Sequence, residues 1–186
     1  MTDEAPVAAY IRRARSDDAG EMVSVQMASW KTTYRGVVAD AYLDAMTAGD
    51  RPRFWRESIE RGEPAFVAED VATGRVVGFV TGGPNRSTEA YAAPFTAELY
   101  AVYLLERYQR GGTGTRLVRA LVADLLQAGE RSLVVKVLED NPSRPFYQQL
   151  GGRLLGGEQV RIGGEMYSGL AYGWDDLAVL GRLLGC

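Results

Sequence analysis

The chain has no histidine. That absence removes Ser-His-Asp and Cys-His nucleophilic arrangements, His-ligated zinc and an imidazole general base. Its one cysteine, Cys186, is the last residue, so it offers no internal disulfide, CxxC redox pair or thiolate metal cage, and no metal is expected. Only two lysines, Lys31 and Lys136, stand among the 21 cationic residues. Against 24 acidic residues the formal charge is −3, which lacks the basic footprint of a nucleic-acid binder. No stretch approaches the roughly 18 apolar residues of a membrane-spanning helix. The opening Met1-Thr2-Asp3-Glu4 puts acids where a signal peptide carries a basic region. These features together read as a cytoplasmic protein with no nucleic-acid or membrane partner. Any proton transfer falls to carboxylates, tyrosine, lysine, backbone groups or water.

What is present is an ordinary globular composition, 46% hydrophobic and 24% charged, over 186 residues that suit one domain spanning 1–186. The periodicities alternate. Residues 8–15 read as a strand, and Ser16-Asp17-Asp18 signals a helix start before an apolar face at Ala19, Met22, Val23, Met27 and Trp30. Residues 39–47 and 51–61 read as two more helices. Residues 65–71 and 75–82 form a hairpin across Ala72-Thr73-Gly74, and 83–97 read as a loop. Strand 98–105 precedes a glycine-rich loop and an amphipathic helix, and 132–138 reads as a buried strand. Asn141-Pro142 is expected to open a short helix, with Asn as cap and Pro at its first position, ending at Gly151-Gly152. A last hairpin joins 153–162 to 165–174, and 175–184 reads as a terminal helix. Hairpins mixed with one strand–loop–helix–strand crossover predict an α+β fold on a mixed sheet.

The segment Gln109-Arg110-Gly111-Gly112-Thr113-Gly114-Thr115, between strand and helix, carries the chemistry. Glycines permit a tight turn and close approach of a ligand. The helix start adds unpaired N–H groups and the positive end of the dipole, which together suit a diphosphate. A dinucleotide fingerprint fails because Leu117 holds the third glycine position, and a P-loop fails because no lysine follows. A loop for the pyrophosphate of coenzyme A remains.

The residues around that loop resemble the GNAT superfamily of acyl-CoA-dependent N-acyltransferases. Gln109, Gly112 and Gly114 match its loop, Glu98 to Leu104 resemble its preceding strand, and Asn141, Phe146, Tyr147 and Gly151 fit its later helix. Ser29 to Gly36 resembles one bacterial subgroup. The resemblance implies a GNAT-type fold, with a mixed, mostly antiparallel splayed sheet flanked by helices. It implies acetyl transfer from acetyl-CoA, as co-substrate, to a primary amine by direct attack in a ternary complex. A homodimer through the C-terminal strands is a further family expectation. A non-catalytic coenzyme A module, or an enzyme for a longer acyl chain, are the alternatives on the same fold.

On this resemblance the pantetheine arm bonds to Val102 and Leu104 as a pseudo-strand, and the splayed strands are 98–105 and 132–138. Gln109, Arg110, Gly111, Gly112, Thr113, Gly114 and Thr115 take the pyrophosphate. Arg116 or Arg119 takes the extra phosphate. Asn141 bonds the pantetheine or caps its helix, and Phe146 packs near the thioester arm. Tyr147 is expected to protonate the departing thiolate. Glu98 is the candidate base, directly or through water, sharing a face with Tyr100, Val102 and Leu104 by period-two alternation. A backbone N–H near Tyr103 or Leu104 is the expected oxyanion donor. Trp30, Tyr34 and Tyr100 are the candidates for the acceptor site, with Tyr91 and Phe95 on a loop close by.

Overall fold

The computed structural model describes residues 8–186. Strand β1 (Ala9–Arg13) leads through a 3-10 turn at Ser16–Asp18 into helix α1 (Ala19–Thr33), then α2 (Asp40–Ala45) and α3 (Arg51–Glu60). Asp18 closes the first turn: its carboxylate accepts the Arg15 N–H at 2.6 Å and both Arg12 terminal nitrogens at 2.7 Å. A meander follows, β2 (Ala65–Asp70), β3 (Val76–Pro84) and β4 (Ala97–Leu104), then α4 (Thr113–Gln127) and β5 (Leu133–Leu138). The chain ends with α5 (Arg144–Gln149), the hairpin β6 (Arg153–Ile162) and β7 (Glu165–Trp174), and α6 (Leu177–Leu184).

The seven strands form one sheet in the order β1-β2-β3-β4-β5-β7-β6, with only β4–β5 parallel. Two helical layers bury its faces. The apolar stripe of α4, Leu117, Val118, Leu121, Val122 and Leu125, packs with Val80, Leu99 and Val135, and α6 joins that cluster through Leu177, Leu180 and Leu184. On the other face Met22 and Val23 of α1 and Trp55 of α3 pack with Val67 and Phe79. Among the described residues no helix is long and apolar enough to cross a membrane.

Three local expectations need correction. Helix α5 begins at Arg144, with Ser143 at its cap and Pro145 in its first turn, rather than at Pro142. The Asn141 side chain builds a turn ahead of the helix, where its Oδ1 accepts the Ser143 N–H at 2.7 Å. Phe95 and Tyr91 do not border the opening of the sheet. Phe95 is buried with Val134 and Ala171, and Tyr91 packs beside it against Gly156 of β6. The loop is pinned there by Asn85, whose Nδ2 donates to the Ala92 and Phe95 carbonyls at 2.8 and 3.0 Å.

The third correction concerns β4. Thr81 pairs with Ala101 and Gly82 with Leu99, so Tyr100 is an extra residue, a bulge. Leu99 packs towards α4, whereas Ala101 packs towards α1 and α3. Alternation therefore breaks at Tyr100. Val102 and Leu104 face α4, and Glu98 does not share their face.

Candidate functional site

Pairing between β4 and β5 covers only Ala97–Leu133, Glu98–Val134 and Leu99–Val135, and then the strands part. Tyr100 to Leu104 and Lys136 to Leu138 have no partner across this opening. The Leu105 N–H donates to the Val77 carbonyl at 2.9 Å, so the amides of Tyr103 and Leu105 turn towards β3. Those of Val102 and Leu104 turn, by alternation, into the gap. This narrows the expected oxyanion donor, because the Tyr103 N–H is spent on β3.

The gap is a cleft of about 770 Å³, within the range of small-molecule sites. Its walls include Val102, Tyr103 and Leu104 from β4, Val135 to Val137 from β5, and Asn141, Phe146 and Tyr147 from the α5 region. Gln109, Arg110, Gly112, Gly114 and Thr115 close one end. Ser29, Thr32, Thr33 and Tyr34, from the end of α1, also line the cleft, as does Tyr100.

The loop geometry suits an anion. Gly112 caps α4 with φ 78° and no side chain caps that helix, so the first amides of α4 have no partner in their own turn. Arg110, at φ 60°, is the one non-glycine residue with left-handed backbone among the described residues. Two left-handed residues beside a helix start aim successive N–H groups outward.

Several expected ligands are otherwise engaged. Gln109 Nε2 donates to the Leu104 carbonyl at 2.9 Å, and Ser29 Oγ donates to the same oxygen at 3.2 Å. Both lone pairs of that carbonyl are thus occupied, and Leu104 offers the gap only its N–H. Gln109 ties the loop to β4. Gly111 and Thr113 are not in the wall, and Thr113 is buried, its hydroxyl accepting from Arg116 at 3.0 Å. Arg116 also donates to the Ala9 carbonyl at 2.7 Å, and Arg119 to the Gly185 carbonyl. Both line a separate depression between β1 and α4, so neither faces the cleft, contrary to the expectation for the extra phosphate.

Glu98 lies outside the cleft wall. It sits in the closed part of the sheet, opposite Gly83 and Val134, and accepts the Arg86 N–H at 2.9 Å. Arg86 stacks its guanidinium on the Tyr100 ring at 3.4 Å and bonds Glu63 at 3.0 Å. The Tyr100 hydroxyl donates to the Pro84 carbonyl at 2.6 Å.

Three phenols converge at the α1 end of the cleft. Tyr147 is buried, stacked on Tyr172 at 6.2 Å. Burial, with Tyr34 and Tyr103 close by, lifts its phenol well above the ordinary value. Tyr34 is raised likewise, by burial first and then by Tyr103, and its hydroxyl accepts from Asn141 Nδ2 at 2.7 Å. Asn141 is therefore oriented by Ser143 at one end and Tyr34 at the other. Tyr103 is raised by burial, and its hydroxyl accepts from Trp30 Nε1 at 3.0 Å. Trp30 itself is not in the wall; it stands behind Tyr103 and against Tyr34, ring centroids 4.8 Å apart.

Sequence reasoning missed Ser29 and Lys136. Each left a signal: a serine on the buried stripe of α1, 5% exposed, and a lysine inside the apolar run of β5. Lys136 pairs with Glu158 at 2.8 Å while contributing to the cleft wall.

A parted sheet beside a glycine-rich helix start is the architecture that the resemblance implied, and comparison with known proteins agrees. The family model described as the acetyltransferase (GNAT) family matches residues 26–152. The uncharacterized N-acetyltransferase YuaI of Bacillus subtilis (strain 168) is 35% identical over 174 residues, 94% of this chain and 97% of that one. The phosphinothricin N-acetyltransferase of Streptomyces viridochromogenes is 29% identical over 149 residues, 75% of each chain. The structure of yncA from Salmonella typhimurium with its cofactor acetyl-CoA superposes with a TM-score of 0.68 at 19% identity, covering 90% of this chain and 94% of that one. The chain belongs to the GNAT acetyltransferase family.

Proposed function

We propose that the protein transfers an acetyl group from acetyl-CoA to a primary amine by direct attack within a ternary complex. The observation that carries this reading is the loss of pairing between β4 and β5 beyond Leu99. Backbone groups left unpaired in a sheet are costly unless a ligand satisfies them. The Val102 amide and carbonyl and the Leu104 N–H are the groups an extended, amide-bearing arm would complete, in the manner of an added strand. The residues fit the rest of such a carrier, with left-handed Arg110 and Gly112 before α4 presenting amides to its pyrophosphate.

The bound thioester supplies an activated acetyl carbon. The amine lone pair forms the new N–C bond, the C–S bond breaks with its electrons on sulfur, one proton leaves nitrogen and one ends on sulfur. Tyr147, in the cleft wall, is the donor assigned to this exchange. A phenol, with pKa about 10, is a weaker acid than a thiol at about 8.5, and burial weakens it further. Full transfer to thiolate is thus uphill, the opposite of what a simple acid role needs. Tyr147 acts as a neutral hydrogen-bond donor to the departing sulfur, which completes its protonation from solvent or from the released amine proton. The expected acceptor residues Tyr34 and Tyr100 border the cleft, and Trp30 positions Tyr103.

The test is calorimetric uptake of acetyl-CoA together with release of coenzyme A thiol in the presence of an amine panel. Binding with amine-dependent thiol release supports the transferase. Binding without release on any amine points to a carrier-binding module. Absence of binding overturns the reading.

A further inference from the structure

The depression between β1 and α4 holds about 500 Å³ and shares no residue with the cleft. Tyr10 to Arg13, consecutive residues of β1, line it. Side chains of a strand alternate between its two faces, so a hollow lined by consecutive residues runs along the strand's edge. β1 is an outermost strand of the sheet. The Val71 N–H donates to the Ala8 carbonyl at 3.0 Å, and the Ala14 N–H donates to the Ala65 carbonyl at 2.9 Å. With Ala9 opposite Asp70 and Ile11 opposite Ala68, the main-chain groups of Tyr10 and Arg12 turn to β2. Those of Ala9, Ile11 and Arg13 turn outward. Two of the outward carbonyls are capped, Ala9 by Arg116 at 2.7 Å and Arg13 by Arg12 at 3.2 Å. Ile11 presents both its N–H and its carbonyl, with no partner for either among the described residues.

The lining combines apolar surface with cations. Ile11, Phe66, Ala120 and Ala123 supply the apolar part, and the charged part is arginine alone. Arg12 is neutralised by Asp18 and Glu69, and Arg13 by Asp124. Arg116 and Arg119 stand exposed on α4. They donate to oxygens without formal charge, the Ala9 carbonyl and Thr113 hydroxyl for one, the Gly185 carbonyl for the other. Neither has a carboxylate partner among the described residues. In a chain of net charge −3, two uncompensated cations beside an open strand edge are a local departure. They also exclude a second copy as the occupant. Pairing β1 with its own twofold mate sets arginines against arginines. A polyanion without a peptide backbone would satisfy the arginines and leave Ile11 unpaired.

We infer that this groove docks an extended acidic peptide segment of a partner protein, which adds a strand to β1, exchanges main-chain hydrogen bonds with Ile11 and sets its carboxylates on Arg116 and Arg119. Strand addition takes its affinity from the main chain and its specificity from alternate side chains. Arginine–carboxylate pairs add charge-assisted bonds of defined geometry. The occupant is short, because β1 has five residues, which span about 17 Å at about 3.4 Å per residue. The surface lies apart from the cleft, so this inference stands independently of the transferase reading.

The experiment follows the fluorescence anisotropy of labelled acetyl-Glu-Val-Glu-Val-Glu-amide as the whole protein is added at low ionic strength. The peptide should bind, weaken as salt is raised, and slow amide exchange at Ile11. Its lysine-for-glutamate version should not bind. A peptoid with the same side chains has no main-chain N–H and should bind about tenfold more weakly, the scale of a lost hydrogen bond. Arg119→Glu and Ala123→Glu, which each put a carboxylate in the groove, should weaken the peptide by about tenfold or more. Both should leave the melting temperature and acetyl-CoA uptake nearly unchanged. Peptoid or tripolyphosphate binding equal to that of the peptide would reveal a patch for any anion and overturn the inference. So would absence of peptide binding, or binding that neither variant weakens. Self-association of the protein that Arg119→Glu removes would give the groove to a second copy and overturn it as well.

Discussion

Single side chains in this cleft act through what already holds them. Tyr147 has its ring fixed between Phe146 and Tyr172. Removing its hydroxyl leaves that packing in place, so Tyr147→Phe should lower single-turnover acetyl transfer by roughly 10- to 100-fold, the scale of a lost hydrogen bond to a charged group. Acetyl-CoA affinity should stay within about twofold, since the hydroxyl serves the chemical step and not the carrier's phosphates. An unchanged chemical rate would remove Tyr147 from that step. Residue identities were legible in the sequence more often than residue duties. Gln109 and Asn141 stand where the family pattern puts them, yet each spends its amide inside the protein, on Leu104 and on Tyr34 and Ser143. A side-chain amide can bond a ligand or brace a loop, and only the neighbours decide. The pairing of Trp30 with Tyr103 joins residues 73 positions apart, which no local pattern reveals.

At the scale of elements, the bulge and the glycine cap set the site. Gly82 faces the bulge, and a Cβ there would meet the Glu98 carbonyl at 2.8 Å and Leu121 Cδ2 at 2.9 Å. The first neighbour is backbone and cannot swing aside, so Gly82→Ala should destabilise the fold by about 1–3 kcal/mol, read as a lower denaturation midpoint. Gly112 and Gly62 offer a matched pair. Both have left-handed φ, 78° and 79°, with open space where a Cβ would go. Alanine at either should cost about 1–2 kcal/mol of stability. Only Gly112→Ala should also weaken acetyl-CoA binding, because only its amides border the cleft. Equal affinities for the two variants would place the phosphates elsewhere. Most elements were legible because their patterns are clean, the helical period of α4 and the short apolar run of β5. The face of Glu98 was misread because a bulge leaves no mark in the bulged strand itself. Alternation was counted through Tyr100 as though β4 were regular.

Across the whole molecule, Asp70 links the meander to the turn before the glycine loop. Its Oδ1 accepts from the Ala72 and Thr73 amides and the Thr73 hydroxyl, and its Oδ2 accepts from Tyr108. These bonds, Tyr108 first and Thr73 next, hold its carboxyl down at about 2. A carboxyl lowered on folding contributes its stability in full above its unfolded value, near 4, and loses it as pH falls towards about 2. Asp70→Asn should therefore flatten the acid limb of the stability curve in that window and leave the slope above pH 5 unchanged, measured by denaturant midpoints against pH. The overall architecture was readable in advance, since hairpin signals and one crossover restrict the strand order. Where the parallel pair separates was not readable from composition or period, because it depends on how far β5 follows β4.

Three rungs are all that join β4 to β5. The sheet is close to two panels, β1–β4 and β5–β7, sharing a short seam. A carrier lying along Val102 and Leu104 would act as the missing stitches, so occupancy should stiffen the protein as well as load it. Saturation at about 100 times Kd should add roughly 2.7 kcal/mol of stability. The accompanying slowing of amide exchange should gather at Val102 and Leu104, whose N–H groups turn into the gap.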